Sequence, residues 1–357
     1  MAKTRKAGIM NAYFSKLCCN YLSDDKKNFL MQLNHLDRKL LFELDQNSRL
    51  SYAELGRKLK SLPETIRYRM DSLVNRKIIT SYIATIDSGK LGFIHFKLLL
   101  RLHEVGDRHL DELVKFLVNN PRTLRVSRYD GEFELGCVIK ASGMDKLDEV
   151  VRDIYSRFGQ YIVKRSISIN VWANYLPRTA LVNKERKGTF RPTYRSASSS
   201  YNLDTADKYI LSQVSTNSRV SATAIAAGLK ELDDCLPLSV DTVTQRIKKL
   251  EKEGIISGYG VLLNPDPLSL VSYKVLLFLN ALPNEKFDAL VKTLHMDTRV
   301  VHVIKTLGEW DLEIDLEISD FRECRNTVME LTRKFPGTIR DYIPMRYLST
   351  EKFRFFS

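Results

Sequence analysis

Leu36, Leu40, Leu41 and Leu44 recur at three- and four-residue spacing, which predicts an amphipathic helix. The polar run Asn47-Ser48-Arg49 interrupts it. Ser51 then stands three residues before Glu54, a capping box for a second helix whose apolar face is Leu55 and Leu59. Pro63 suits the first turn of a third helix, with Ile66, Met70 and Leu73 facing inward. Downstream the plan returns. Ile210, Leu211 and Val214 line one helix, Asn217-Ser218-Arg219 breaks it, Ile225 and Leu229 mark the next, and Ser239 caps a third with inner face Val243, Ile247 and Leu250. The loop from Lys230 to Leu238 is longer than its counterpart.

After each helical module the periodicity changes to two. Leu312, Ile314, Leu316 and Ile318 alternate with Glu313, Asp315 and Glu317, which predicts a half-buried strand. The second copy reads strand (Tyr273–Leu279), helix (Glu285–His295), strand (Val300–Thr306), a turn at Gly308, strand (Trp310–Ile318), helix (Phe321–Phe335) and strand (Ile339–Tyr347). The first copy keeps that order from Phe96 to Val171. This is βαββαβ, a ferredoxin-like arrangement.

The two copies run in step. Gly131-Glu132-Phe133-Glu134-Leu135 and Gly308-Glu309-Trp310-Asp311-Leu312 lie 177 residues apart, and the same offset pairs Ile78-Ile79 with Ile255-Ile256 and Phe158 with Phe335. The period is far longer than a solenoid unit and matches a whole protomer, so one chain carries a built-in pseudo-twofold pair. The expected fold class is α+β: two winged-helix or helix-turn-helix domains (33–80 and 203–257) and two ferredoxin-like domains (81–176 and 258–357). Residues 1–32 form an accessory segment with a helix from Ile9 to Leu30, and 177–202 form a linker.

Charge sharpens the picture. The chain has 357 residues with 56 basic and 43 acidic side chains, a net charge of +13. That excess favours a polyanion, double-stranded DNA first and an anionic membrane surface second. No apolar run reaches the roughly 18–20 residues of a membrane span, and no signal peptide follows the basic start. The five cysteines (Cys18, Cys19, Cys137, Cys235, Cys324) form no Cys-x-x-Cys pair, so a reduced cytoplasmic setting without structural zinc is expected. No His-x-x-x-His pair, phosphate-binding glycine loop or nucleophile elbow is present. No cofactor, metal or catalytic residue is therefore expected. The linker carries Arg178, Lys184, Arg186, Lys187, Arg191 and Arg195 against one acid, Glu185, and ends in Ser198-Ser199-Ser200. Two readings stay open for it: a flexible tether, or a basic strip along a phosphate backbone.

Three short helices with a tight break describe a helix-turn-helix, in which the third helix enters the major groove. Its outward face offers Glu64, Thr65, Arg67, Tyr68 and Asp71 in copy one, and Asp241, Thr242, Thr244, Gln245 and Lys248 in copy two. Thr65, Arg67, Tyr68, Thr242, Thr244, Gln245 and Lys248 are the candidate base contacts, since Arg and Gln can pair bidentately with base edges. Arg69, Arg246, Lys249 and Lys252 are the candidate phosphate contacts. The competing view is a small bundle whose charged third helix is only a solvated face.

Leu36-Asp37-Arg38-Lys39-Leu40-Leu41, the Asn-Ser-Arg break and Gly254-Ile255-Ile256-Ser257-Gly258-Tyr259 resemble the Lrp/AsnC family of transcription regulators. That resemblance covers both halves. It implies a helix-turn-helix joined by a hinge strand to a ferredoxin-like regulatory (RAM) domain, with hinge strands paired and regulatory sheets packed together. Here the hinges would be Tyr82–Ile86 and Tyr259–Leu263, paired within one chain, as a pseudo-dimeric monomer or a further homo-oligomer. It also implies a small effector, often an amino acid. The family's Gly-x-aromatic-Asp turn maps onto Gly131, Glu132, Phe133 and Glu134, and onto Gly308, Glu309, Trp310 and Asp311, with Glu134 in place of the usual Asp. Glycine there either lets backbone N–H groups approach a carboxylate or serves hairpin geometry alone.

Siroheme decarboxylases share this architecture, and the family pattern carries an Arg-His pair before a Gly-aromatic step. Here that stretch reads Asp87-Ser88-Gly89-Lys90-Leu91-Gly92-Phe93 in copy one and Pro265-Asp266-Pro267-Leu268-Ser269 in copy two, with no Arg-His. A sequence-specific DNA-binding regulator is thus expected. A decarboxylase and an effector sensor without DNA binding are the alternatives.

Overall fold

The computed structural model describes residues 33–188, 193–196, 201–232 and 237–356. The expected helix Ile9–Leu30, Cys18, Cys19, Cys235, Arg191 and Ser198-Ser199-Ser200 lie outside the described residues. In each helical module the sequence signals work as read. Helices α1 (His35–Gln46), α2 (Tyr52–Leu59) and α3 (Pro63–Asn75) form the first, with Asn34 capping α1, the Ser51–Glu54 capping box on α2 and Pro63 at the start of α3. Helices α6 (Thr205–Thr216), α7 (Ala222–Leu229) and α8 (Val240–Lys252) form the second, and Ser221 and Ser239 cap α7 and α8.

Each helical domain is followed by a hinge strand, β1 (Ile79–Ile86) or β7 (Ile256–Leu263), and the two pair antiparallel with Tyr82 opposite Val261 and Ala84 opposite Tyr259. The hinges exchange partners. Val261 and Leu268 from copy two join the core of Leu40, Leu44, Leu55, Ile66 and Leu73 in copy one. Ile83 and Ile86 from copy one join Ile210, Val214, Ile225, Val243 and Leu250 in copy two. Neither helical core is complete without the other half of the chain, so apolar burial itself holds the two together.

The first regulatory domain comprises β2 (Ile94–Leu102), α4 (Asp107–Asn119), β3 (Thr123–Asp130), β4 (Leu135–Ala141), α5 (Met144–Phe158) and β5 (Ile162–Tyr175). A short β6 (Tyr194–Arg195) pairs with β5. The second comprises β8 (Val271–Leu279), α9 (Asn284–Met296), β9 (Val300–Leu307), β10 (Leu312–Ile318), α10 (Phe321–Lys334) and β11 (Ile339–Phe353). Alternation sends Phe96, Leu98 and Leu100 towards α4 and α5, and Val275 and Leu277 towards α9 and α10. The opposite faces of the two sheets meet each other over Leu99, Tyr129, Phe133, Leu276, Trp310 and Met345.

Face-to-face packing is only part of the join. The first half of β5 pairs with β2 (Leu98 opposite Ile167), and its second half pairs with β9 of the other domain (Asn174 opposite Val303). Likewise β11 pairs first with β8 and then, from Arg346 to Phe353, with β3. The eight strands β2-β4-β3-β11-β8-β10-β9-β5 therefore close on themselves through β5 and β2. The expected last strand ended at Tyr347. It runs on to Phe353 because a partner edge from the other copy satisfies its backbone groups.

The linker departs from a flexible tether over its described part. Arg178 donates from Nη1 to Asp45 at 2.7 Å and from Nη2 to Glu317 at 2.8 Å, tying α1 to β10. Arg186 is buried and donates to the carbonyls of Pro177, His295, Asp297 and Val300. These two arginines face protein acceptors, so neither lies along a phosphate backbone. The expectation of a loose basic strip is corrected for them.

Candidate nucleic-acid interface

Both third helices present a solvent-facing stripe. In α3, Glu64, Arg67, Tyr68 and Asp71 are exposed, and Tyr68 shows 69 % of its surface. In α8, Asp241, Gln245, Lys248, Lys249 and Lys252 are exposed. Thr65, Thr242 and Thr244 are half-buried. Thr242 is bound to the Ser239 cap at 2.9 Å, and the Thr244 hydroxyl donates to the Val240 carbonyl at 2.9 Å. The Thr242 and Thr244 hydroxyls serve the helix, and Arg67, Tyr68, Gln245 and Lys248 are the exposed side chains among the expected base contacts.

Two of the four expected phosphate contacts also have partners within the protein. Arg246 donates to Asp204 and Asp207 at 2.6 and 2.8 Å, and Arg69 lies 3.6 Å from Asp37. The pairs are equivalent in the two copies and clamp the third helix to the first. Both guanidinium groups therefore tie the third helix to the first while staying half-exposed. Lys249 and Lys252 remain exposed, and Lys249 sits over the ring of Tyr201.

What sets the two helices against each other is the break motif. Ser48 Oγ and Ser218 Oγ, equivalent residues, meet at 2.7 Å on the pseudo-dyad. Arg219 donates to the carbonyls of Ser48 and Leu50 and lies over the rings of Tyr52 and Tyr82. Arg49 lies over Tyr259, the counterpart of Tyr82. The Asn-Ser-Arg segment is thus both a turn between helices and the contact between helical domains. Sequence reasoning took only the first role, although its double occurrence at near-identical context was the available signal.

The glycine turns answer to geometry. Gly131 (φ +150°) and Gly308 (φ +157°) lie where a side chain would strike the opposing sheet, 3.1 Å from the Pro344 carbonyl and 2.8 Å from Ser168 Cβ. Phe133 and Trp310 are buried in the inter-sheet core. Glu134 accepts from Leu102 N at 2.7 Å, and Asp311 accepts from Leu279 N at the same 2.7 Å. The longer Glu134 therefore keeps the hydrogen bond that Asp311 makes. Phe133 and Trp310 are thus engaged in the core, and Glu134 and Asp311 in the turn. Glu132 pairs with Arg101 at 3.5 Å, and Glu309 accepts from Ser166.

Charged side chains also fill the space between the sheets. Glu313 accepts from Lys274 at 2.7 Å, from Lys97 at 3.1 Å and from Trp310 Nε1 at 3.1 Å, while Asp315 binds Lys274 at 2.7 Å and His302 at 3.2 Å. Burial alone would raise the Glu313 carboxyl, but Lys274 and Lys97 outweigh it and hold it at about 2. Burial pushes Lys97 down to about 8. It also pushes His302 down to about 4 against the pull of Asp315, and His95, stacked on Tyr194, to about 3. Both histidines are neutral in the fold and take a proton near 6.5 once unfolded. Their contribution is therefore present above about pH 6.5 and is lost as pH falls through their depressed values. Glu313 adds a second loss between 4.5 and about 2. Urea midpoints are expected to fall already between pH 7 and pH 5. A flat profile over that interval would contradict the neutral buried histidines.

Comparison with known proteins agrees with this architecture. The AsnC-type helix-turn-helix domain model matches residues 33–74. The leucine-responsive regulatory protein of Haemophilus influenzae is 28% identical over 158 residues, covering 42% of this chain and 89% of that protein. An uncharacterised HTH-type transcriptional regulator of Pyrococcus furiosus is 26% identical over 134 residues, 37% of this chain and 86% of that one. Such relatives correspond to less than half of the chain, as a two-copy arrangement requires. The crystal structure of the siroheme decarboxylase NirDL superposes over 91% of this chain and 95% of its own with a TM-score of 0.58 and 13% identity, a likeness of fold alone. No helix of the described residues is long and apolar enough to cross a membrane. The chain thus carries an AsnC-type helix-turn-helix domain at residues 33–74 and is similar in sequence to leucine-responsive regulatory proteins.

Proposed function

We propose that the chain binds double-stranded DNA as an intramolecular pseudo-dimer, placing two non-identical recognition helices in successive major grooves and acting as a regulator rather than an enzyme. One observation carries the reading: two exposed third helices are locked to each other by exchanged hinges and by the Ser48–Ser218 contact on the pseudo-dyad. Arg67 and Tyr68 stand where the other copy has Thr244 and Gln245, and Asp71 stands where it has Lys248. Such faces favour a non-palindromic operator. Footprinting of selected genomic fragments tests this, and a perfect palindrome as the best site would count against it.

Lys249 and Lys252 supply phosphate contacts in copy two, so affinity falls steeply with salt. Gln245→Ala is expected to relax specificity at one half-site, at a cost of about 1–3 kcal/mol. Lys249→Ala is expected to weaken all sequences alike and to flatten the salt slope. An unchanged site preference in the first variant, or an unchanged slope in the second, would remove that residue's role. An amino-acid effector at the exposed edge of the glycine turns, Gly131-Glu132 and Gly308-Glu309, remains part of the proposal. Binding with and without amino acids checks it.

The likeness to NirDL favours a second reading, siroheme decarboxylation. The stretch Asp87-Ser88-Gly89-Lys90-Leu91 before Gly92-Phe93 holds no Arg-His pair, and carbon dioxide release on incubation with siroheme would overturn the regulator reading.

A further inference from the structure

A cavity of about 250 Å³ lies where the first helix-turn-helix, the linker and the second regulatory domain meet. Its apolar wall comes from Leu33, Leu181, Leu268, Leu270 and Val301, one or more from each of the three elements. Asn183 and Thr298 add uncharged polar groups. Arg38, Arg178 and Glu317 also border it; Arg178 is bound to Glu317 and to Asp45, and Arg38 is engaged as well.

The pseudo-twofold shows what such a site holds. The 170-residue offset of the first helices takes Leu33 to Leu203. The 177-residue offset takes Leu268 to Leu91, Leu270 to Phe93 and Glu317 to Lys140. At that second location Phe355 and Phe356 are buried in the core that Leu91 and Leu203 flank. The Lys140 ammonium lies 4.9 Å from the Phe356 ring and 5.2 Å from that of Phe93. Ser215 donates to the Phe356 carbonyl at 3.0 Å. The chain thus fills one of two equivalent seams with its own aromatic rings. At the first seam the position of Phe355 is taken by Arg178, which turns aside to Asp45 and Glu317.

We propose that the first seam is a ligand site for a neutral, single-ring aromatic molecule bearing one hydrogen-bonding group. The ring follows from the phenylalanines that occupy the equivalent seam. Neutrality follows from the apolar residues that wall the cavity and from the engaged charges at its rim, since an ion entering there would lose hydration and would have to compete for counter-charges already in use. Size agrees, because a cavity of about 150 Å³ accepts benzene, and the extra volume here takes a short polar substituent. A macrocycle does not fit. Because the walls belong to three elements, a ligand that binds this docked arrangement more tightly than an undocked one holds the first helix-turn-helix in place. That consequence supplies regulation to the DNA-binding reading and rests on it; the binding itself does not.

The test is calorimetric titration of the full chain, without DNA, using 2-phenylethanol, phenylacetate and 2-phenylethylamine as probes. The alcohol is expected to saturate at one molecule per chain, with both charged probes about tenfold weaker or worse. Ala180→Phe, which fills the cavity from its exposed side, is expected to abolish binding with an unchanged circular dichroism spectrum. Leu270→Gln, which puts an amide into the apolar wall, is expected to weaken binding at least as much as either charged probe is weakened. Absence of binding by the alcohol, preference for a charged probe, or unaltered binding in Ala180→Phe would each overturn the site. A mobility shift on the same preparation is scored separately. Its failure sinks the regulator reading and leaves the ligand site standing.

Discussion

Replacing Glu313 by leucine is expected to lower stability by about 3–5 kcal/mol at pH 7. Glu313 is fully buried and is the common acceptor of Lys97 and Lys274, whose ammoniums are buried as deeply. Removing the acid leaves Lys274 with Asp315 and takes from Lys97 the carboxylate it pairs with among the described residues. Breaking a buried pair costs far more than never having built it, because the surviving charge keeps its desolvation penalty. Two further outcomes identify the cause. The penalty should shrink as pH rises above the Lys97 value of about 8, because a neutral amine needs no partner. The double variant Glu313→Leu with Lys97→Met should recover much of the loss, since apolar replacement of a whole pair is often neutral. Urea unfolding of the three proteins at pH 7 and pH 9 decides the matter. A single-variant loss below about 1 kcal/mol would show that water reaches these lysines.

The same charges explain why the halves belong to one another. Gly136 and Val138 stand where copy two has Glu313 and Asp315, while Lys97 is matched by Lys274. Two copy-one sheets face to face would bury Lys97 and Arg125 twice with neither acid present. The inter-sheet space is electrically complete only when one sheet of each kind is present.

Arg178→Met is the second large effect, also about 3–5 kcal/mol. Its guanidinium is the only cation that pairs Asp45 of α1 with Glu317 of β10 among the described residues, through Nη1 at 2.7 Å, Nη2 at 2.8 Å and Nε at 2.9 Å. Its main-chain N–H also donates to Asp45 at 2.8 Å. Methionine fills the volume but leaves two buried carboxylates facing each other. Burial already raises the Asp45 carboxyl, so part of the cost will be met by proton uptake. The loss should accordingly be smaller at pH 5 than at pH 8. Damage should concentrate in the first helical domain, with new proteolytic cleavage in α1 and α2 before the regulatory domains open. Uniform unfolding with no early cleavage there would argue against Arg178 as the coupler. Arg178→Lys keeps the charge without the fork and should recover only part of the stability.

The helices, strands and repeat were legible in the sequence because each rests on local periodicity. Leucines at helical spacing, serine caps and alternating strand residues state their own element. A fixed offset states the duplication wherever the chain comes to rest. Legibility failed wherever a side chain's partner lies far along the chain. Arg69 and Arg246 look like free cations on a reading helix until Asp37, Asp204 and Asp207 are placed beside them. Trp310 looks like a pocket aromatic until the second sheet covers it. Ser48 gives no hint of Ser218, and the phenylalanines near the C-terminus give none of the helical core they enter.

By itself, then, the sequence determined which segments coil, which extend, that the plan occurs twice and which faces are apolar, since those follow from nearest-neighbour sterics and hydrophobic spacing. Tertiary structure alone decided that the sheets close into a ring through exchanged edges, that charges lie inside it, and which helix side chains are engaged within the protein. Those outcomes depend on groups brought together across 130 to more than 200 residues, as in Arg178 with Asp45 and Lys97 with Glu313. Desolvation and pairing energies at such distances have no signature in any local window of the chain.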